Sequence, residues 1–263
     1  MRFRLLPVSL LTCVLLGASV HVASAQGPAE TDFLLVNLPT TLQLPSHKSN
    51  FRLTHRFQSN LEQGPLSRQA SNLFGLDSGA AIGFEYRYAV ARRVQAGAYR
   101  TNVDRATQFS AKLDAITEGG AMPVSVSAIV SVEGRNNFRR DYAPALGVAI
   151  SRRLPHQSAL YANPVWVHNS AAGSGSSRET VMLGLGGRVR LHGSVYVVAE
   201  VAPRLGGYAP GDAEYAVAVE KRAGRHVFQM NVSNTVGTTQ LQTAQGGFPG
   251  GLFLGFNLAR KFF

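Results

Sequence analysis

Phe51-Arg52-Leu53-Thr54-His55-Arg56-Phe57 alternates bulky apolar or aromatic residues with cationic and hydroxyl ones. Side chains switch faces at every residue of a strand, so one face of this segment suits lipid and the other suits water. The same habit recurs at residues 82 to 88, where Ile82, Phe84, Tyr86 and Tyr88 alternate with Gly83, Glu85 and Arg87. Phe109, Ala111 and Leu113 oppose Ser110, Lys112 and Asp114. Val124, Val126, Ala128, Val130 and Val132 oppose Ser125, Ser127, Ser131 and Glu133, with Ile129 breaking the polar face.

The second half continues the pattern. Val181, Leu183, Leu185, Val189 and Leu191 stand against Thr180, Gly184, Gly186, Arg188 and Arg190, and Tyr215, Val217 and Val219 against Glu214, Ala216, Ala218 and Glu220. Residues 195 to 202 and 226 to 233 supply two more strands, and residues 94 to 101 a short one. In residues 158 to 169, Pro164 removes a ladder hydrogen bond and predicts a bulge. The fold class expected is all-β: a single antiparallel transmembrane β-barrel of about 12 strands (roughly 10 to 14) over residues 50 to 263.

Arg2 and Arg4, the apolar run from Leu5 to Val20 and Ala23-Ser24-Ala25 read as a cleavable signal peptide over residues 1 to 25. Export to the bacterial outer membrane follows as the expected location. A lipoprotein reading at Cys13 fails because the apolar run continues past it and Thr12 suits a lipobox poorly. Cleavage removes the only cysteine, so the mature chain can form neither a disulfide nor a thiolate metal site. Residues 26 to 49, with Pro28, Pro39 and Pro45, are expected as a periplasmic N-terminal segment that either hangs free or folds up into the barrel as a plug.

No mature stretch holds the roughly 20 consecutive apolar residues of a spanning helix. The 27 glycines, 16% charged residues and mean hydropathy near zero suit strands whose two faces cancel. Connection lengths agree, because outer-membrane barrels join strands by short turns on one side and long loops on the other. Turns are expected at 92 to 93, 118 to 120, 155 to 157, 192 to 193 and 223 to 225. Longer outer loops are expected at 58 to 78, 134 to 141, 170 to 177, 206 to 212 and 235 to 249, with one short one at 102 to 105.

Aromatic residues gather near both ends: Phe51, Tyr86, Tyr88, Phe228 and Phe262 at one, Phe57, Phe109, Trp166 and Tyr215 at the other, as interfacial girdles do. The last segment, with Leu252, Leu254, Phe256, Leu258 and Phe262 in phase and Phe263 at its end, resembles the signal read by barrel assembly machinery, although Arg260 interrupts its apolar face.

Several pieces carry a resemblance to a known family. They are Asn37-Leu38-Pro39-Thr40-Thr41, Leu44-Pro45, Phe51 to Phe57, Leu73-Phe74-Gly75-Leu76-Asp77-Ser78-Gly79, Asn234-Thr235-Val236-Gly237-Thr238-Thr239 and Gly255 to Phe262. Together they resemble an uncharacterised family of bacterial membrane-bound β-barrel domains, over nearly all of the mature chain. The His-Arg-Phe and Leu-Phe-Gly-Leu-Asp pieces are the most specific. What the resemblance implies is an outer-membrane barrel; it brings no catalytic residue.

Without Arg2 and Arg4 the chain keeps 24 basic residues against 15 acidic. No fold signal for nucleic acid accompanies this charge, so lipopolysaccharide in the surrounding outer-membrane lipid, or a small anionic solute, is the expected counterpart. Lumen-lining candidates are Arg52, Arg56, Arg87, Lys112, Arg188 and Arg204 with Glu85, Asp114, Glu133, Glu200, Glu214 and Glu220. So even a balance predicts self-cross-linking by ion pairs around a narrow or closed lumen. Arg135, Arg139 and Arg140 form a basic patch in one outer loop that suits phosphate groups.

Signals for chemistry are sparse. His168, Asn169 and Ser170 are adjacent, and adjacent strand residues point to opposite faces, so they form no triad. The histidines are scattered without metal-ligand spacing, and Gly184, Gly186 and Gly187 resemble no phosphate loop. No cofactor, metal or enzymatic activity is expected. Three functions remain in order: a narrow channel or transporter for a small solute, a closed structural or docking barrel presenting loops 58 to 78 and 235 to 249, and an outer-leaflet lipid-modifying enzyme.

Overall fold

A computed structural model describes residues 30–171 and 178–263. The expected signal peptide, and nearly all of the 170 to 177 loop, lie outside the described residues.

The period-two segments become strands β1 (Ser49–Asn60), β2 (Ala80–Ala91), β3 (Val94–Thr101), β4 (Thr107–Ile116), β5 (Ser125–Gly134), β6 (Arg140–Leu154), β7 (Ser158–Val167), β8 (Thr180–His192), β9 (Val195–Ala202), β10 (Arg204–Gly207), β11 (Glu214–Ala223), β12 (His226–Ser233) and β13 (Phe253–Lys261). Each pairs antiparallel with its neighbour, and β1 pairs with β13 from Asn50↔Lys261 onward, so the sheet closes on itself. Pro203 interrupts one stave: β9 and β10 lie on either side of it and both pair with β8. The barrel therefore has twelve staves, each paired on both sides, and only the short β10 beyond Pro203 pairs on one side alone.

Alternation sorts the side chains as the sequence demands. Phe84, Phe109, Val130, Leu146, Val189, Val219 and Met230 are exposed on the outer face, while Arg52, Arg56, Glu85, Lys112, Arg188 and Glu220 are buried inside. Such a continuous apolar exterior suits hydrocarbon and not water.

Tight connections and both strand termini share one end of the barrel, and the long loops share the other. Two local expectations are corrected. The 117 to 124 connection is longer than a tight turn and carries its own Gly119–Met122 bridge. Pro164 sits in β7 with no bulge: the β7–β8 register runs unbroken from Ala159↔Arg188 to Val167↔Thr180, and the β6 ladder skips a step beside the proline that has no N–H to donate.

Candidate functional site

The lumen is occupied by the chain's own N-terminal segment. Residues 31 to 41 are almost all buried, so of the two placements open to this segment it takes the one inside the barrel. It turns back on itself, with Leu35 N–H donating to Leu38 O (2.8 Å) and Thr40 N–H to Phe33 O (2.9 Å). The turn points the amides of Val36, Asn37 and Leu38 at one carboxylate. Glu200 on β9 accepts all three, at 2.9, 2.7 and 3.1 Å. Successive amides of this kind form a concavity for an anion, here filled by the barrel wall.

Wall residues complete the grip. Arg52 pairs with Asp32 and donates to Val36 O (2.9 Å). Arg188 donates to Leu34 O (3.1 Å) and to Glu220 (3.0 Å), which also accepts from the Thr31 hydroxyl. Asn37 reaches Glu214 (2.9 Å) and accepts from Arg56 (3.2 Å). Gln229 donates to Leu35 O (2.8 Å), Asn163 to Pro39 O (3.2 Å), and Thr41 meets Ser151. These residues come from β1, β6 to β9, β11 and β12; towards β2 to β4 the segment is held more sparsely, by Arg87 over the Phe33 ring (5.5 Å) and by Lys112 and Gln95 at Leu42 O.

Small wall residues make room for it. A side chain at Gly184 would put its Cβ 2.7 Å from Leu38, and one at Gly186 would collide with Leu35. Leu35, Val36 and Leu38 form one apolar cluster with Tyr161, Val165 and Met182, each fully buried side chain contributing about 1.5–3 kcal/mol.

From the other end, the long 234 to 252 connection, expected as an outer surface loop, folds into the mouth. Its helix Gln240–Gln245 starts with a capping box: Thr239 accepts from Gln242 N–H and Gln242 reaches back to the Thr239 amide. Leu241 and Ala244 join the plug's apolar cluster. Gln240 accepts from Ser131 and its amide donates to Gln108 (3.1 Å), Thr238 meets Tyr99, and Gln245 donates to Ser170 O (2.8 Å). Buried Glu133 faces the Thr239 cap.

Between the two inserts, against β2 to β5, lies a cavity of about 40 Å³ lined mostly by residues with polar groups. Glu85, Arg87, Tyr99, Ser110, Lys112 and Gln240 are among its lining residues. At 10–15 Å³ per water it has room for about three waters. Below it, Lys112 and Gln95 both donate to Leu42 O, at 2.7 and 3.3 Å. Above it stand the Tyr99–Thr238 and Gln108–Gln240 contacts.

Eleven of the twelve lumen candidates are buried inside the barrel; Arg204 is not. It sits half-buried at the rim and donates to the carbonyls of Pro210, Gly211 and Asp212. Nor do ion pairs cross-link the lumen as expected. Glu85–Arg87 and Lys112–Asp114 each lie along one strand, and Arg188–Glu220 joins strands separated only by β9. What crosses the lumen is backbone. In the outer loop Arg135, Arg139 and Arg140 stay adjacent, with Arg139 N–H donating to Arg135 O (3.0 Å); Arg135 pairs with Asp104 (3.3 Å) and the exposed Arg140 with Asp141 (3.6 Å).

His168 and Ser170 part company because β7 has ended at Val167 and residues 168 to 170 form a turn, with Asn169 at φ 56°. His168 faces out beside Glu179 (3.4 Å), while Ser170 is buried, donating to Arg178 O (2.8 Å) and accepting from Thr180 (2.8 Å). Among the described residues no cluster has a metal-binding set of ligands.

A family model described as "Membrane bound beta barrel domain (DUF5777)" matches residues 31–262. The chain belongs to the DUF5777 family. The match begins inside the plug, so the DUF5777 domain includes the insert as well as the barrel. An outer membrane channel from Pseudomonas putida F1 shares the fold at TM-score 0.51 and 14% identity, covering 84% of this chain and 97% of that one. The NanC porin aligns at TM-score 0.50 and 6% identity, over 81% and 98%. Outer membrane phospholipase A from Escherichia coli aligns at TM-score 0.47 and 11% identity, over 87% and 97%. No curated protein sequence matches.

Sequence reasoning about this DUF5777 barrel missed Asp32, Asn37, Gln95, Tyr99, Asn163 and Gln229. A signal for the plug was present: Phe33, Leu34, Leu35, Val36 and Leu38 make too apolar a run for a solvated extension. The wall amides gave none, since a neutral polar residue on an inward face looks alike whether it meets water or backbone.

Proposed function

We propose that this protein is an outer-membrane channel for a small polar solute, shut in the present state by its own N-terminal segment. One observation carries the reading: most of the plug's hydrogen bonds go to β1 and to β6 through β12, while a cavity against β2 to β5 lies between two sets of hydrogen-bonded latches. Leu42 with Lys112 and Gln95 forms one latch, and Gln240 and Thr238 with Gln108 and Tyr99 the other. Displacing either insert lengthens the same polar path. Arg87 is paired with Glu85 and Lys112 with Asp114, so the cavity wall is close to neutral and suits a small polar solute. The fold shared with a channel and a porin accords with this reading.

The touching hydroxyls of Thr41 and Ser151 offer a test, because the mature chain has no cysteine of its own. In a planar bilayer, the Thr41→Cys/Ser151→Cys protein should give unitary currents when reduced and fall silent when oxidised. Silence of the reduced protein, together with silence of a variant whose plug has been freed by Asp32→Ala, overturns the channel. The closed docking barrel is then the better reading.

A further inference from the structure

The loop between β1 and β2 does not stand up from the rim; it folds down over the outside of the barrel. A Cβ at Gly75 would lie 3.1 Å from the Cβ of Phe57 and 2.9 Å from that of Ser59. Phe57 belongs to the outward face of β1, yet it is only 9% exposed, because this turn covers it. Beneath it His55 stacks on Phe256 (4.7 Å between ring centres) and meets Phe57 edge-on (4.5 Å), an aromatic cluster on the outward face of β1 and β13.

The covering turn is itself apolar and uncovered. Leu73, Phe74 and Leu76 are 56%, 41% and 59% exposed. Leu73 and Phe74 both hold left-handed backbone, φ 50° and 57°, a conformation that bulky residues seldom adopt. It is fixed by polar bonds: Asn72 accepts from Gly75 N–H (3.2 Å), Ser78 donates to Gly75 O (2.9 Å), and Gln69 donates to Asn60 O (3.1 Å) and Gln63 O (2.6 Å). Three large apolar side chains are thus held outward at the rim, continuous with the lipid-facing surface below.

We infer that Leu73, Phe74 and Leu76 are a membrane foot, inserted into the leaflet at the long-loop end. The occupant is lipid because the turn lies on the barrel's outer wall, next to an aromatic cluster of the kind that marks a membrane interface. The turn also joins the two most distinctive sequence pieces, His-Arg-Phe and Leu-Phe-Gly-Leu-Asp, into one structure. This inference is independent of whether the lumen conducts.

The test places a reporter in the foot. In a Trp166→Phe background, Phe74→Trp becomes the only tryptophan of the mature chain. In phosphatidylcholine vesicles brominated near the headgroup end of the acyl chains, its emission should be blue-shifted and quenched relative to unbrominated vesicles. A second protein, Leu76→Cys carrying an environment-sensitive dye, should report the same transfer out of water. Water-like, unquenched emission from both reporters in heat-modifiable barrels overturns the inference and leaves the patch to a protein partner.

Discussion

Leu35 occupies the space that a side chain at Gly186 would take. The glycine on β8 is therefore a contact surface for the plug as well as a strand residue. Gly186→Val must displace Leu35 or the strand, and overpacking of this sort costs about 1–3 kcal/mol. The expected result is a barrel that still shifts on heating in gel electrophoresis while a cysteine placed at Leu38 becomes reactive to a membrane-impermeant maleimide. An unreactive cysteine in that variant would mean that the pocket can adapt.

Asp32 and Arg52 form an ion pair at 2% and 1% side-chain exposure. Removing one partner of a buried pair leaves an uncompensated charge, at a cost of about 3–5 kcal/mol. Asp32→Ala should act mainly on plug docking, since Arg52 can hydrate once the segment withdraws. Limited proteolysis of the N-terminal segment should become fast while the barrel stays resistant, and Arg52→Met should partly restore protection.

The capping box of the mouth helix is a separate element. Thr239→Ala removes the acceptor for Gln242 N–H and should cost about 0.5–2 kcal/mol. Hydrogen exchange at residues 239 to 246 should accelerate with little change at residues 33 to 40, since the two inserts share an apolar cluster but have different hydrogen-bond partners in the wall. Equal acceleration in both would show that they move as one unit.

Lipid exposure can be graded along a strand. Val219 in β11 and Leu191 near the end of β8 both face outward and are 54% and 62% exposed. An arginine near the membrane midplane costs about 2–4 kcal/mol and one near the interface about 0–1. Val219→Arg should therefore lower the unfolding free energy in lipid far more than Leu191→Arg, measured by reversible denaturant titration.

Strand existence, strand parity and the closed all-β class were legible in the residues themselves, because a barrel wall between lipid and a polar interior imposes a period of two that local sequence must obey. Val94–Thr101, short as it is, keeps the bounds read from the sequence, and Ile129, which broke the polar face, points inward and lines the residual cavity. The inward charges were legible too, but not their partners. Arg52 reads as a residue for a solute or for a glutamate across the lumen; only the folded chain sets Asp32 beside it.

That difference has one physical reason. Facing direction is decided between neighbours one or two residues apart, whereas occupancy of the lumen is decided between residues such as Val36 and Glu200, which meet only after twelve staves have closed around them. The sequence by itself determined a membrane barrel with a charged interior. Tertiary structure alone decided that the interior is filled by the chain's own two inserts, and that Leu73-Phe74-Gly75-Leu76 folds down onto Phe57, because both outcomes rest on contacts between segments far apart in the chain or across a long loop.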